Sequence, residues 1–293
     1  RGRQSNLSVP PAPLSFEVGY ALANVVNTRR GADLLEHIAQ SRDEIATEWG
    51  LQIPHIHISD NLQLEPSAYV FNIRGVETVR GHRRSGDAVS LANHFSQIII
   101  GHMVDLLDRE QVRLMLDSLR TEYPATVEEV TSILSVGEIR RVLQALLSEE
   151  VSIRDLVKII DSIADNASAN RDIDYLVQHV RCALARQICL QHANSDGVLK
   201  VVTMSPELER NLRVENEEGD RSFTGSQENW ILALNQAIAS STSSSQTPVV
   251  VATNIRALVK RKTREIIPRL VCIATAEVSS QVVVESVAEI QLE

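Results

Sequence analysis

Aromatic side chains are nearly missing from this sequence: four Phe, four Tyr and two Trp, together 3% of 293 residues. The cores must be built from Leu, Ile, Val and Ala, and base stacking on aromatic platforms is a poor candidate for recognition. Long apolar runs are missing too, and no stretch approaches the roughly 20 apolar residues of a membrane-spanning helix. The opening Arg1-Gly2-Arg3-Gln4-Ser5-Asn6 has no initiator Met and no apolar segment of a signal peptide, so the chain reads as a piece of a longer protein. Only three Cys are present, Cys182, Cys189 and Cys272, too few for a disulfide framework, and a reducing compartment fits. Cys182 and Cys189, seven apart, read as small buried members of one helical stripe. Positive charge is in deficit: 29 Lys and Arg stand against 38 Asp and Glu, a formal −9 with pI near 5.5. That balance argues against a broad nucleic-acid surface. Catalytic signatures are lacking as well. There is no Gly-Lys-Ser/Thr phosphate loop, no Gly-x-Gly-x-x-Gly and no Gly-x-Ser-x-Gly, so no cofactor and no catalysis are expected.

What is present is helical periodicity, densest from Ser135 to His192. Val136, Ile139, Val142, Leu143, Leu146 and Leu147 form one buried stripe by their three-and-four spacing. Ser135 with Glu138 predicts a capping box, each side chain meeting the other's backbone amide. A second helix is expected to open at Ser152 and bury Ile153, Leu156, Val157, Ile159, Ile160 and Ile163, with Asp155 in its positive first turn. A third begins near Asp172, with Tyr175 or Leu176, Val180, Cys182 or Ala183, Leu184, Ile188 and Cys189 inward. Arg140, Arg141, Arg154, Lys158, Arg181 and Arg186 lie between the stripes and are read as a charged exterior.

The flanking regions differ. Residues 1–13 are polar, end in Pro10-Pro11-Ala12-Pro13 and read as an extended linker. Residues 14–108 read as an N-terminal α+β domain. It comprises a strand over Leu14–Tyr20, a helix over Gly31–Trp49 stopped by Gly50, a strand over Ile53–Ser59, one strand over Ala68–Thr78, a polar loop over Arg80–Asp87 and a helix over Ala88–Leu107. The helical segment occupies 109–195, broken at Tyr123-Pro124. Residues 196–293 alternate strand and helix and predict a small C-terminal α/β domain with a mixed sheet. The fold class is therefore α+β and multidomain, with a central helical bundle.

Several clusters invite a chemical reading. His55 and His57 share a strand face, as two metal ligands would, but Asp60 is the one acidic residue close in sequence, so a polar strand face is the simpler reading. Arg80, His82, Arg83 and Arg84 form a basic patch in a loop. Arg256, Lys260 and Arg264 recur at four-residue spacing with Arg261 and Lys262 beside them. This reads as a basic helical face, either solvated or offered to an acidic partner helix.

Leu14-Ser-Phe-Glu-Val-Gly-Tyr20, Ile53-Pro-His-Ile-His-Ile-Ser-Asp-Asn61, Tyr69–Gly75, Val142-Leu-Gln-Ala-Leu-Leu147, Val151-Ser-Ile-Arg-Asp-Leu156 and Val180–Ile188 resemble one family. That family is the cytoplasmic domain of the export-gate protein of flagellar and virulence type III secretion. Arg186–Asn194, Pro206–Glu209 and Ile255-Arg256 look more like the virulence branch, which is slightly favoured; Asp60–Leu64 looks more flagellar. The resemblance implies a receptor at the cytoplasmic face of the bacterial inner membrane, touching the membrane only through an N-terminal half that this chain lacks. It implies a nine-membered ring that receives chaperone–cargo complexes, the stalk protein of the export ATPase and gatekeeper proteins, with no nucleic acid among its partners. The helical segment 109–195 would form the ring, and a small inserted domain of the family is missing at 80–88. On this reading Arg140, Arg141, Glu149, Glu150, Arg154 and Asp155 are candidates for the interface between copies, and Arg256, Lys260 and Arg264 for partner binding. The alternatives are a monomeric protein-binding adaptor and an enzyme with an interdomain cleft.

Overall fold

The computed structural model describes residues 11–22, 32–82, 88–218, 227–240 and 247–291. Most of the expected linker, Arg83 and Arg84 of the basic patch, and the Ser-rich 241–246 lie outside them. By internal contacts the chain divides into two compact units: residues 1–118 with 152–156, and residues 119–151 with 157–293. These cuts differ from the expected boundaries at 108/109 and 195/196, because the helical segment and the C-terminal sheet share one unit.

The first unit carries a mixed sheet in the order β2-β1-β3-β4, built from β1 (Leu14–Val18), β2 (Ile56–Asp60), β3 (Ala68–Ile73) and β4 (Val76–His82). β1 runs parallel to β2 and antiparallel to β3, and β3 pairs antiparallel with β4. The single strand expected over Ala68–Thr78 is in fact this β3–β4 hairpin. It turns on Arg74 and Gly75, with φ of 52° and 78°, the pair of left-handed residues that a tight two-residue hairpin requires. Arg is an unusual occupant of the first position, so the run of strand-forming residues conceals the turn. Arg80 and His82 accordingly lie in β4 and not in a loop.

Two helices bury their apolar faces on this sheet: α1 (Ala32–Trp49) through Leu34, Ile38 and Ile45, and α2 (Ala88–Gly101) through Leu91, Phe95 and Ile99. Phe95 meets Phe71 edge-on at 5.6 Å between ring centroids. Tyr69 Oη and His94 Nδ1 share a hydrogen bond of 2.5 Å. Helix α1 stops at Gly50, whose φ is +74°, and a Cβ there would sit 2.4 Å from Arg154 Cα. Only glycine fits both demands. That close approach lets Ile153 N–H bond Trp49 O at 3.0 Å and Ser152 Oγ donate to Glu48 O at 2.6 Å, which draws 152–156 into the first unit. The Ser152 oxygen also accepts Arg154 N–H at 3.3 Å, as a cap would, although the regular helix expected to open there begins at Leu156. The chain continues through α3 (Met103–Leu106) and α4 (Arg109–Glu122).

The second unit follows with α5 (Pro124–Ile133), α6 (Val136–Ser148), α7 (Leu156–Ala167), α8 (Ile173–Ala183) and α9 (Ala185–His192). The predicted capping box is present at the start of α6: Glu138 N–H donates to Ser135 Oγ at 3.3 Å and Ser135 N–H to Glu138 Oε2 at 2.8 Å. Ser135 N–H and, after it, the Ser135 hydroxyl, both donating to Glu138 Oε2, hold the Glu138 carboxyl below the usual carboxylate range. Asp172 caps α8 through Tyr175 N–H. Helix α6 ends in a Schellman motif: Glu150 N–H bonds Leu147 O at 3.0 Å and Val151 N–H bonds Leu146 O at 3.0 Å. Glu150 occupies its left-handed position, with φ of 58°, a place usually held by Gly.

A second sheet then assembles in the order β7-β6-β5-β8, from β5 (Val198–Met204), β6 (Val249–Val251), β7 (Cys272–Ala274) and β8 (Val283–Ile290). Helices α10 (Pro206–Glu218), α11 (Gln227–Ser240) and α12 (Arg256–Thr263) accompany it. Every pairing in this sheet is parallel, so the mixed sheet expected in the C-terminal domain is the N-terminal one instead. The near-continuous burial of Val249, Val251, Ile273 and Ala274 is what a parallel sheet covered by helices demands.

Leu146 is fully buried on α6. Leu146→Ala is expected to cost about 2–5 kcal/mol of unfolding free energy in urea titration. A loss under about 1 kcal/mol would mean that α6 packs by another face.

Candidate functional site

One expected interface residue, Glu149, and one expected partner residue, Arg256, meet inside the second unit. Glu149, just past α6, accepts from Arg181 Nη1 of α8 at 3.0 Å and from Arg256 Nη1 of α12 at 2.5 Å. Glu277, in the single turn of 3₁₀ helix after β7, accepts from Arg181 Nε at 2.9 Å and from Arg181 Nη2 at 2.7 Å. Its side chain also takes Gln178 Nε2 at 3.0 Å and Ala274 N–H at 3.2 Å. Arg181 completes its fork on the Cys272 carbonyl at 3.0 Å, and Arg256 Nε donates to Gln178 Oε1 at 2.9 Å. Arg181, Arg256 and Glu277 are 2%, 3% and 0% exposed.

Such a cluster survives burial only when charge balances and every donor is used. Charge balances here, with two guanidinium groups facing two carboxylates, and Gln178, the Cys272 carbonyl and Ala274 N–H add further hydrogen bonds. Burial pulls the Arg181 guanidinium down, and the charges of Glu277 and Glu149 more than reverse it, leaving its pKa above the normal arginine range. Burial likewise pushes the Cys272 thiol up to about 12. It drives His192 down to about 4, with a smaller contribution from the Arg181 charge.

This arrangement corrects several readings. Arg181, expected on the charged exterior, is among the largest fully buried side chains. It lies four residues after Val177 and five after Leu176, both inward, so the stripe itself marked the position. Arg256 faces the interior too. Lys260, one turn later, donates to the Leu270 carbonyl at 2.5 Å, and of the expected basic stripe only Arg264 is exposed. Thr253–Ile255 is 3₁₀ and α12 ends at Thr263 with no side-chain cap at its start, so Arg264 lies just beyond the helix. Glu149 is used inside its own chain. Arg141 and Arg154 are exposed, Glu150 and Asp155 half-buried, and Arg140 half-buried with its Nε lacking a partner. Gln178 and Glu277 were not singled out by the sequence, because a Glu in a short turn after a strand carries no periodic signal.

Among the described residues no three His, Cys, Asp or Glu side chains gather as a metal site would require. His55 and His57 are exposed on the rim of the first sheet. No described helix is long and apolar enough to cross a membrane.

Comparison with known proteins follows the same map. A model of the FHIPEP family matches residues 3–91 and 81–283. The chain belongs to the FHIPEP family. Its two matched pieces overlap at 81–91, around the loop where an inserted domain was expected to be missing. The flagellar biosynthesis protein FlhA of Borreliella burgdorferi is 31% identical across 97% of this FHIPEP chain and 48% of its own length. The chain thus spans about half of that relative. Their alignment runs to 338 positions, more than the chain has residues, so the relative carries segments absent here. The Chlamydia pneumoniae CdsV structure solved in complex with CdsO superposes with a TM-score of 0.86 at 18% identity, covering 98% of this chain and 99% of that one. The nonameric EscV cytosolic domain from the type III secretion system superposes with a TM-score of 0.81 at 17% identity, covering 97% and 98%. Flagellar and secretion-system relatives both appear, and the slight lean toward virulence gains no separate support from the 31% identity to a flagellar protein.

Two measurements check the cluster in this FHIPEP chain. Glu277→Gln leaves two buried guanidinium groups to share the one carboxylate of Glu149 and is expected to cost about 3–5 kcal/mol; a change under about 1 kcal/mol in chemical denaturation would rule the pairing out. The His192 shift fixes a pH slope. Its folded pKa of about 4 lies below the ordinary 6.5, so the unfolded chain binds the proton more readily between them, and stability falls as pH drops below 6.5. His192→Gln is expected to flatten that slope between pH 6.5 and about pH 5, above most carboxylate titration; an unchanged slope would contradict the burial of His192.

Proposed function

We propose that this chain is the ring-forming cytoplasmic platform of a bacterial type III protein-export gate, a docking surface and not a catalyst. The observation that carries this is a match to the FHIPEP family along most of the chain, joined to whole-chain similarity to a domain solved as a nonamer. In this reading copies meet head to tail, a geometry that closes into a ring only at the right rotation. The segment 109–195 supplies the ring contact through its outer charges. Arg141 and Arg154, which remain exposed, are the first candidates, with Asp155 and Glu150 beside them. Glu149 drops to a supporting role because its carboxylate is engaged internally.

The partners are proposed to be export chaperones with their cargo, a gatekeeper protein and the stalk protein of the export ATPase. The stalk proposal leans on the relative crystallised or imaged with CdsO. The connection between β4 and α2 is proposed to stand where the family carries its inserted domain. The platform would work at the cytoplasmic face of the inner membrane, anchored through parts of the longer protein.

Exposed ion pairs contribute only about 0–1 kcal/mol each, so the isolated chain is expected to associate weakly. Anchoring in a membrane would raise the effective concentration of neighbouring copies and compensate. Native mass spectrometry and sedimentation at rising concentration test the reading. A ring-sized species supports it, and Arg141→Glu is expected to shift the equilibrium toward monomer with the melting transition unchanged. Arg140 is a poorer probe, since its Nε is already buried. A strict monomer at high concentration, even when tethered to vesicles, would favour the monomeric adaptor.

A further inference from the structure

The C-terminal sheet has a slot that neither the ring reading nor the internal charge cluster uses. It is a cavity of about 400 Å³ between the end of α11 and the connection from α12 to β7, lined by Ile238, Ile266 and Leu270 and by the polar Asn235, Thr247 and Arg269. That volume lies in the range of sites that seat a ligand or an anchoring side chain. Its wall is held in place. Ile267 N–H bonds Thr263 O at 2.7 Å, Leu270 N–H bonds Ile267 O at 3.0 Å, and the Lys260 ammonium clamps the Leu270 carbonyl. Ile266 nonetheless stands 41% exposed.

The surroundings say what would fit. The protein carries a net charge of −9, yet the stretch from Arg256 to Arg269 holds Arg256, Lys260, Arg261, Lys262, Arg264 and Arg269 against the single acid Glu265. Arg256 and Lys260 are consumed inside, and Lys262 pairs with Glu215. Arg261 in the last turn of α12, and Arg264 and Arg269 on the connection that follows it, are left exposed. Arg269 is 74% exposed, its nearest acid Glu150 at 4.0 Å. An apolar slot beside a local excess of arginine in an acidic protein complements a helix with an apolar stripe and acidic flanks.

We infer that this slot is the docking site of an acidic amphipathic helix of a partner protein, which seats one apolar side chain among Ile238, Ile266 and Leu270 while its carboxylates meet Arg269 and its neighbours. The inference rests on the platform reading only in taking the occupant to be a protein.

The test uses the intact chain and two labelled synthetic helices, one with Leu on one face and Glu on the other, the second with Lys in place of Glu. Fluorescence anisotropy is expected to show binding of the Glu helix, weakened by salt, and little binding of the Lys helix. Ile266→Glu puts a charge in the slot, and Arg269→Glu reverses its rim. Each is expected to weaken the Glu helix about tenfold, or about 1.4 kcal/mol. Both residues are exposed enough for the fold to persist, which circular dichroism verifies. Equal binding of the two helices, or affinity unchanged in both variants, would overturn the inference. So would a loss of self-association in Ile266→Glu without loss of peptide affinity, which would make a second copy the occupant. A chain that stays monomeric yet binds the Glu helix through these residues would sink the ring and keep the slot.

Discussion

The buried pairing of Arg181 with Glu277 constrains everything around it. It joins α8 to the turn after β7, and through Glu149 and Arg256 it draws in the end of α6 and the start of α12. A guanidinium at 2% exposure cannot leave its partners without several kcal/mol of desolvation cost going unmet. The helical segment and the C-terminal sheet are therefore one unit. An apolar seam of similar area would resist separation as well, but it would tolerate sliding. A forked arginine gripping a carboxylate and a carbonyl together permits one register.

The same pairing decides which charges face outward. Once Glu149, Arg181, Arg256 and Lys260 are committed inside, the surface keeps Arg141 on α6 and the arginines that follow α12. Those are residues whose loss changes contacts with other molecules more than the fold. The charges that fix the unit's shape are shielded from salt, and the exposed charges respond to it.

Local elements were legible in the residues. The Ser135–Glu138 box, the Asp172 cap, the α6 stripe from Ile139 to Leu147 and the stop at Gly50 all came from spacing and cap chemistry, because each depends on neighbours within a turn of helix. The hairpin at Arg74-Gly75 was hidden, since Arg rarely takes a left-handed conformation and strand-forming residues flank it on both sides. The opening of α7 was misplaced for a different reason: Ser152 accepts Arg154 N–H as a cap would, but its hydroxyl is also tied to the carbonyl of Glu48, far away in sequence, and regular helix starts only at Leu156.

The sequence by itself determined the fold class, the helical segment, the scarcity of aromatic cores and, through its motifs, the family. Those rest on periodicity and short-range chemistry that the chain carries wherever it folds. Only the tertiary structure decided which charges are interior. Glu149 and Glu277 lie far apart in sequence, and whether a carboxylate is solvated or gripped by two arginines depends on what the packing of distant helices brings within 3.0 Å of it. The all-parallel order of the second sheet and the basic slot beside β7 belong to that class too, since both are made by segments that meet only when the chain is folded.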